Sequence, residues 1–168
     1  MSTEAVCKTC RKPKAPYTCG LCQDHMCKSC TQFLSETFSF MKSVPEELTH
    51  PCYCMNCFDD KVAAPLAEYT DKMLKARDII IYTKDMGKLT RYLKRKEEPY
   101  HVENCEDQEE VFLRMSYFAV EANYNCLIDV VVNRKTVSKG SHKKSMWSGS
   151  AVPVTIDPTE IRGHMDPR

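Results

Sequence analysis

Residues 7 to 30 read Cys7-Lys-Thr-Cys10-Arg-Lys-Pro-Lys-Ala-Pro-Tyr-Thr-Cys19-Gly-Leu-Cys22-Gln-Asp-His-Met-Cys27-Lys-Ser-Cys30, and a fourth pair, Cys54-Met-Asn-Cys57, follows. Each pair has the form Cys-x-x-Cys, which sets two sulfurs on one side of a tight loop. Two such pairs complete a tetrahedral shell around a zinc ion with bonds of about 2.3 Å. Four pairs therefore imply two Zn2+ sites. Redox-active Cys-x-x-Cys sequences come singly and near a βαβ pattern, and none precedes these. Nine of the eleven cysteines lie between Cys7 and Cys57, and only Cys105 and Cys126 lie beyond. This shift in composition marks a domain boundary.

The spacing resembles the cross-braced treble-clef arrangement of the FYVE, PHD and RING families, over residues 5 to 60. In that arrangement the first and third pairs hold one ion, and the second and fourth hold the other. The resemblance thus implies one site from Cys7, Cys10, Cys27 and Cys30, and another from Cys19, Cys22, Cys54 and Cys57. Two sequential ribbons, with pairs one and two sharing an ion, are the alternative. Cys52 and His25 are reserve ligands. The basic, histidine-rich stretch with which FYVE domains hold a phosphoinositide is absent, since Lys14, Ala15, Pro16, Tyr17 and Thr18 occupy its place. RING ligases usually offer a histidine ligand and a proline inside the last pair; here those places hold cysteine and Met55-Asn56. Tyr53 matches the aromatic residue that PHD readers carry before their last pair. A closed four-sulfur shell leaves no position for a reacting water, so the sites read as structural and no catalytic residue is assigned. Each ion supplies on the order of 10 kcal/mol of folding free energy, which replaces a core in so short a segment.

Lys and Arg number 24 against 23 Asp and Glu. The balance provides no global field for nucleic acid or an anionic membrane, so any charged partner must meet a local patch. No apolar run approaches the roughly 18 residues of a membrane span. The first residues carry an acid and no apolar stretch of a signal peptide, so a reducing, cytoplasmic setting is expected.

Between Cys30 and Cys52, Phe33, Leu34, Phe38 and Met41 recur at helical spacing behind Thr31, the expected N-cap; this predicts a helix that Pro45 stops. Asp59 and Asp60 are expected to cap a joining helix that runs to Arg77, with Val62, Leu66, Tyr69 and Met73 on one stripe. Residues 79 to 83, Ile-Ile-Ile-Tyr-Thr, read as a buried strand. A basic helix over 85–96 is expected next, with Met86, Leu89 and Leu93 inward, then a short strand over 100–104. Val111, Phe112, Met115, Phe118, Ala119 and Ala122 predict a helix over 107–124. Two strands, 126–137 and 146–156, are joined by a polar loop over 138–145 that contains Gly140.

The expected fold class is thus α+β, in four parts. A zinc treble-clef domain spans 1–60, a joining helix 61–78, a βαβαββ-like domain 79–158 and a flexible tail 159–168. Glu121-Ala-Asn-Tyr-Asn-Cys-Leu-Ile-Asp-Val-Val-Val and Trp147-Ser-Gly-Ser-Ala-Val-Pro-Val resemble a small α+β family named for heavy-metal binding. Its helix ends in a Gly-Ala-Asn/Asp-Ala turn, and its later strand carries Gly-Thr-Ala-Val. Here Glu121 replaces the glycine and Ser150 the threonine. Members tend to form closed oligomers, so the resemblance implies a homo-oligomer.

Arg134, Lys135, Lys139, Lys143 and Lys144 make a basic hairpin that can contact phosphate in nucleic acid or a phosphoinositide membrane, with Trp147 beside it to stack on a base. No nucleophile elbow, phosphate-cradling glycine loop or dinucleotide fingerprint is present. The chain is therefore read as a non-catalytic adaptor that recognises a protein partner. A RING-like ubiquitin ligase and phosphate binding through the hairpin are the alternatives.

Overall fold

The computed structural model describes residues 5–139, 142–157 and 159, with the side chains of Lys139, His142 and Lys143 outside the description. Gly140, and all of the expected tail except Thr159, also lie outside it. The fold is mixed α and β. It divides into two compact units, one ending at Thr70 and one beginning at Asp71.

In the first unit, strands β1 (Tyr17–Thr18) and β2 (His25–Met26) pair antiparallel, as do β3 (Thr31–Phe33) and β4 (Cys52–Cys54). Between β2 and β3 lies a 3-10 turn, Lys28–Cys30. After β4 the chain becomes helical at α1 (Met55–Cys57), widens into a π-turn over Phe58–Val62 and continues as α2 (Ala63–Arg77). Pro65 has no N–H to offer the carbonyl four residues back, and the helix reaches it through that wider turn. The helical run begins earlier than Asp59 and Asp60 suggest, because Cys54 Sγ caps it by accepting the Cys57 N–H at 3.4 Å.

No helix occupies residues 31–41, contrary to the sequence expectation. Thr31, the expected N-cap, instead pairs across from Cys54, and its Oγ1 donates to the Cys27 carbonyl at 2.9 Å. The three residues after Cys30 are thus claimed by the ladder that carries the last cysteine pair. Apolar spacing in this stretch reflects anchoring. Phe38 is buried edge-on against Tyr69, with ring centroids 5.0 Å apart, whereas Phe33 stays on the surface. Tyr53, Met26 and Val62 are fully enclosed and give the unit its small apolar interior.

The second unit is built on a four-stranded sheet in the order β5-β7-β8-β6. Its strands are β5 (Ile80–Thr83), β6 (Tyr100–Cys105), β7 (Cys126–Lys139) and β8 (His142–Val154). β5 runs parallel to β7; the other pairings are antiparallel. Helix α4 (Gln108–Glu121) lays Val111, Met115 and Ala119 on Leu127, Val130, Ala151, Val102 and Cys105. The opposite face packs Cys126, Ile128, Val152, Val154 and Ile156 with Ile80, Tyr82 and Leu93. Both faces of the central strands are therefore covered, which is why 126–128 and 151–154 read as continuous apolar runs without alternation.

The basic segment over 85–96 is also not one helix. A 3-10 turn at Lys84–Met86 leads into α3, only Gly87–Thr90. Its helical bonding ends because the Arg95 guanidinium folds back, donating to the carbonyls of Thr90 and Leu93 and to Thr90 Oγ1. Arg95 also forms a two-pronged ion pair with Asp129. Met86 and Leu89, expected inward, are exposed; Leu93 does pack inward. Asp129 has φ 52° at the bulge of β7, a backbone state that short polar side chains tolerate.

Candidate metal centre

Two turns of the same shape begin the site, twelve residues apart. In the first, Cys7 N donates to Lys12 O at 2.9 Å, Arg11 N donates to Cys7 O at 2.9 Å, and Arg11 has φ 61°. The second repeats the pattern: Cys19 N to Asp24 O at 3.0 Å, Gln23 N to Cys19 O at 3.1 Å, and Gln23 φ 63°. Pairs three and four sit instead on helical turns. Cys30 N donates to Cys27 O at 3.0 Å across the 3-10 turn, and Cys54 with Cys57 opens the helical run. Gly20, inside the second turn, lies so close to His50 that a side chain at that position would overlap the ring.

Hydrogen bonds along the chain tie these turns together. Lys8 N donates to His25 O, linking the first turn to β2, and Gly20 N donates to Cys52 O, linking the second turn to β4. The result brings Cys7, Cys10, Cys27 and Cys30 into one group and Cys19, Cys22, Cys54 and Cys57 into another. Within each group all sulfurs lie within 4.8 Å of one another. Pair one thus meets pair three, and pair two meets pair four. The sequential arrangement, in which pairs one and two share an ion, is not the one adopted.

The donor set fits a metal ion. Four sulfurs bonded at about 2.3 Å to a central ion stand about 3.8 Å apart along the tetrahedron's edges. Cys10 Sγ and Cys27 Sγ are 3.6 Å apart, and Cys22 Sγ and Cys54 Sγ 3.8 Å. A disulfide needs about 2.05 Å, and the described residues contain none. No protein-family model, curated protein or solved structure matches this chain. The reading of the centre therefore rests on its own geometry.

Electrostatics within each group are uneven. Backbone N–H groups of Cys10 and Cys27 pointing at Cys7 Sγ bring that thiol down to about 6 against the effect of burial. Burial pushes Cys19 up, but N–H groups of Cys22, Cys54 and Leu21 outweigh it and bring this thiol also to about 6. Cys30, beside the Cys27 and Cys10 sulfurs, is pushed up to about 12. Burial raises Cys57 to about 11. In the first group Cys7 and Cys27 are shifted down and Cys30 up, and in the second Cys19 is shifted down and Cys22 and Cys57 up, so the sulfurs of each group oppose one another's ionisation. A bound dication removes that conflict by letting all four ionise.

The reserve ligands stand outside both groups. Cys52 Sγ donates to the Thr18 carbonyl at 3.2 Å, and the exposed His25 ring lies 3.5 Å from Thr18 Oγ1. Cys105 and Cys126 are buried in the second unit, and burial pushes Cys126 up to about 12, so it behaves as a small apolar side chain.

Of the residues proposed for phosphate, the described ones, Arg134, Lys135 and Lys144, are not gathered. Arg134 donates to Ser145 Oγ at 2.7 Å and stacks on Trp147, 5.8 Å from the ring centroid, so one face of the indole is already covered. Lys135 is on the opposite face of the ribbon by strand alternation. Lys144 reaches Glu106 at 3.1 Å. The side chains of Lys139 and Lys143 lie outside the described residues. No described helix is long and apolar enough to cross a membrane.

Proposed function

We propose that this chain is a two-zinc cross-brace protein of the treble-clef kind, and that it works by recognition, presenting a metal-held surface to a protein partner. The observation that carries this reading is the alternation of four cysteine pairs between two sulfur tetrads. Tetrahedral four-sulfur sites suit zinc or iron–sulfur chemistry, and single-ion shells of this size suit zinc. With four protein sulfurs per ion, no coordination position is left for water, so the metal holds shape and does not react. The α+β unit supplies a second surface for the partner or for self-association.

Native mass spectrometry tests the metal content: two zinc ions per chain are expected, and one or none contradicts the reading. Cys19→Ser should lose one ion and unfold the first unit. Incubation with E1, E2, ubiquitin and ATP separates the recognition reading from a RING-like ligase; recognition predicts no ubiquitin chains. An affinity pull-down with zinc-loaded wild type should capture a protein that the Cys19→Ser variant does not.

A further inference from the structure

The two cysteine turns share one backbone but not one surface. Between Ala5 and Gln23 there are four cations, Lys8, Arg11, Lys12 and Lys14, and no acid. Lys28, beside Cys27, adds a fifth, and all five are exposed. At the equivalent places of the second turn, twelve residues on, Lys8 becomes Gly20, Arg11 becomes Gln23 and Lys12 becomes Asp24. The turn therefore needs no positive charge to form. Nor does the metal. A zinc ion with four thiolates carries the same net negative charge at both centres, and only the first centre's turns carry this run of cations. Among the described residues, the only ion pair these five make is Lys8 to Asp24, 3.8 Å between two exposed groups. Such a pair contributes little.

An aromatic surface adjoins this patch. Tyr17 lies three residues beyond Lys14, so its Cα is no more than about 11 Å away along the chain. Its ring meets Phe33 edge-on at 5.0 Å, and Phe33 is 52% exposed although nothing in its strand requires a phenyl group in water. Exposed cations close along the chain to a ring pair with an exposed member are what a flexible polyanion with flat bases requires: phosphates meet the lysines and a base stacks on the ring.

We infer that the basic face of the Cys7–Cys10–Cys27–Cys30 centre binds single-stranded nucleic acid, with Lys8, Arg11, Lys12, Lys14 and Lys28 on the phosphates and Phe33 under a base. The inference rests on the two-metal reading for its comparison of the centres.

Fluorescence anisotropy tests it, using full-length protein whose metal content has been measured and labelled oligothymidine and oligouridine of about 20 nucleotides, longer than one typical binding site. Binding should weaken steeply with salt. Lys12→Glu with Lys14→Glu should weaken it at least about tenfold at low salt and reduce the slope of log K against log salt by about 1.4, the value for two lost contacts on a single strand. Phe33→Ala should weaken it about fivefold or more and leave the slope unchanged. Both variants should keep the metal content of the wild type. A chain with two zinc ions that ignores the oligonucleotides, or holds them equally well in both variants, overturns the inference. So does sedimentation with phosphatidylserine vesicles in place of oligonucleotide binding. A chain without zinc that still shows both dependences overturns the metal reading and leaves the nucleic-acid face standing.

Discussion

At the scale of single residues, Gly20 is tightly confined, because His50 fills the space a side chain would need. Gly20→Ala should cost about 1–3 kcal/mol through overpacking. It should also speed metal release to a chelator from the Cys19 centre more than from the Cys7 centre, which stopped-flow competition can measure. Asp129 offers a test of pH dependence. The Arg95 guanidinium beside it, with Lys84 contributing, holds its carboxyl below the usual carboxylate range. A depressed folded-state value contributes stability that is present above the unfolded value, near 4, and is lost as pH falls through the lower folded value. Asp129→Asn, which still tolerates the positive φ, should therefore lose about 1 kcal/mol at neutral pH and flatten the fall in stability below pH 4, measured by urea titration. Neither position announces itself in the sequence. Gly20 is one of two residues inside a Cys-x-x-Cys, and Asp129 interrupts an apolar run. Each is explained only by what the fold brings next to it.

At the scale of elements, the parts readable from sequence are those where local chemistry and burial agree. Helix α4 is of this kind. Asp107 caps it by accepting the Glu110 N–H at 2.7 Å, and Glu110 in turn accepts the Glu106 N–H at 2.6 Å. The C-terminal end closes with Tyr124 N on Ala119 O and Asn123 N on Val120 O, with Asn123 at φ 62°. This is a Schellman turn with asparagine in the glycine position. Asn123→Gly should therefore be neutral or slightly stabilising, and Asn123→Val should cost about 1–2 kcal/mol in thermal denaturation. Gly149 in β8 faces the same helix. A methyl there would press on Val111 Cγ1 and the Val131 carbonyl, so Gly149→Ala should lower the melting temperature of the second unit. The segments over 31–41 and 85–96 are harder to read for one reason. Apolar spacing at three and four residues cannot distinguish a helix from a strand plus anchors, nor a helix from a turn held by an arginine. For the centre, the cysteine spacing marks the eight sulfurs, but their partition needs the β1–β2 and β3–β4 pairings, which no local pattern carries.

At the scale of the whole molecule, the two units depend on different forces. The first encloses few large apolar side chains, whereas the second has a helix and a sheet packed on both faces. Exhaustive chelation should therefore remove amide-exchange protection from the first unit while the second keeps its own. Trp147, the only tryptophan, lies in the second unit against the α4 core, so its emission should barely change on metal removal. A shift in Trp147 emission that tracks metal loss would instead show that the second unit depends on the metal. The twin turns also bear on biosynthesis. All four sulfurs of one tetrad have left the ribosome once Cys30 has, whereas the other must wait for Cys57, twenty-seven residues later. At about 5–20 residues per second that delay lasts a few seconds. During it, an idle half-site of identical shape sits beside the finished one, competing for the same ion, so the order of arrival helps decide which partners each sulfur keeps.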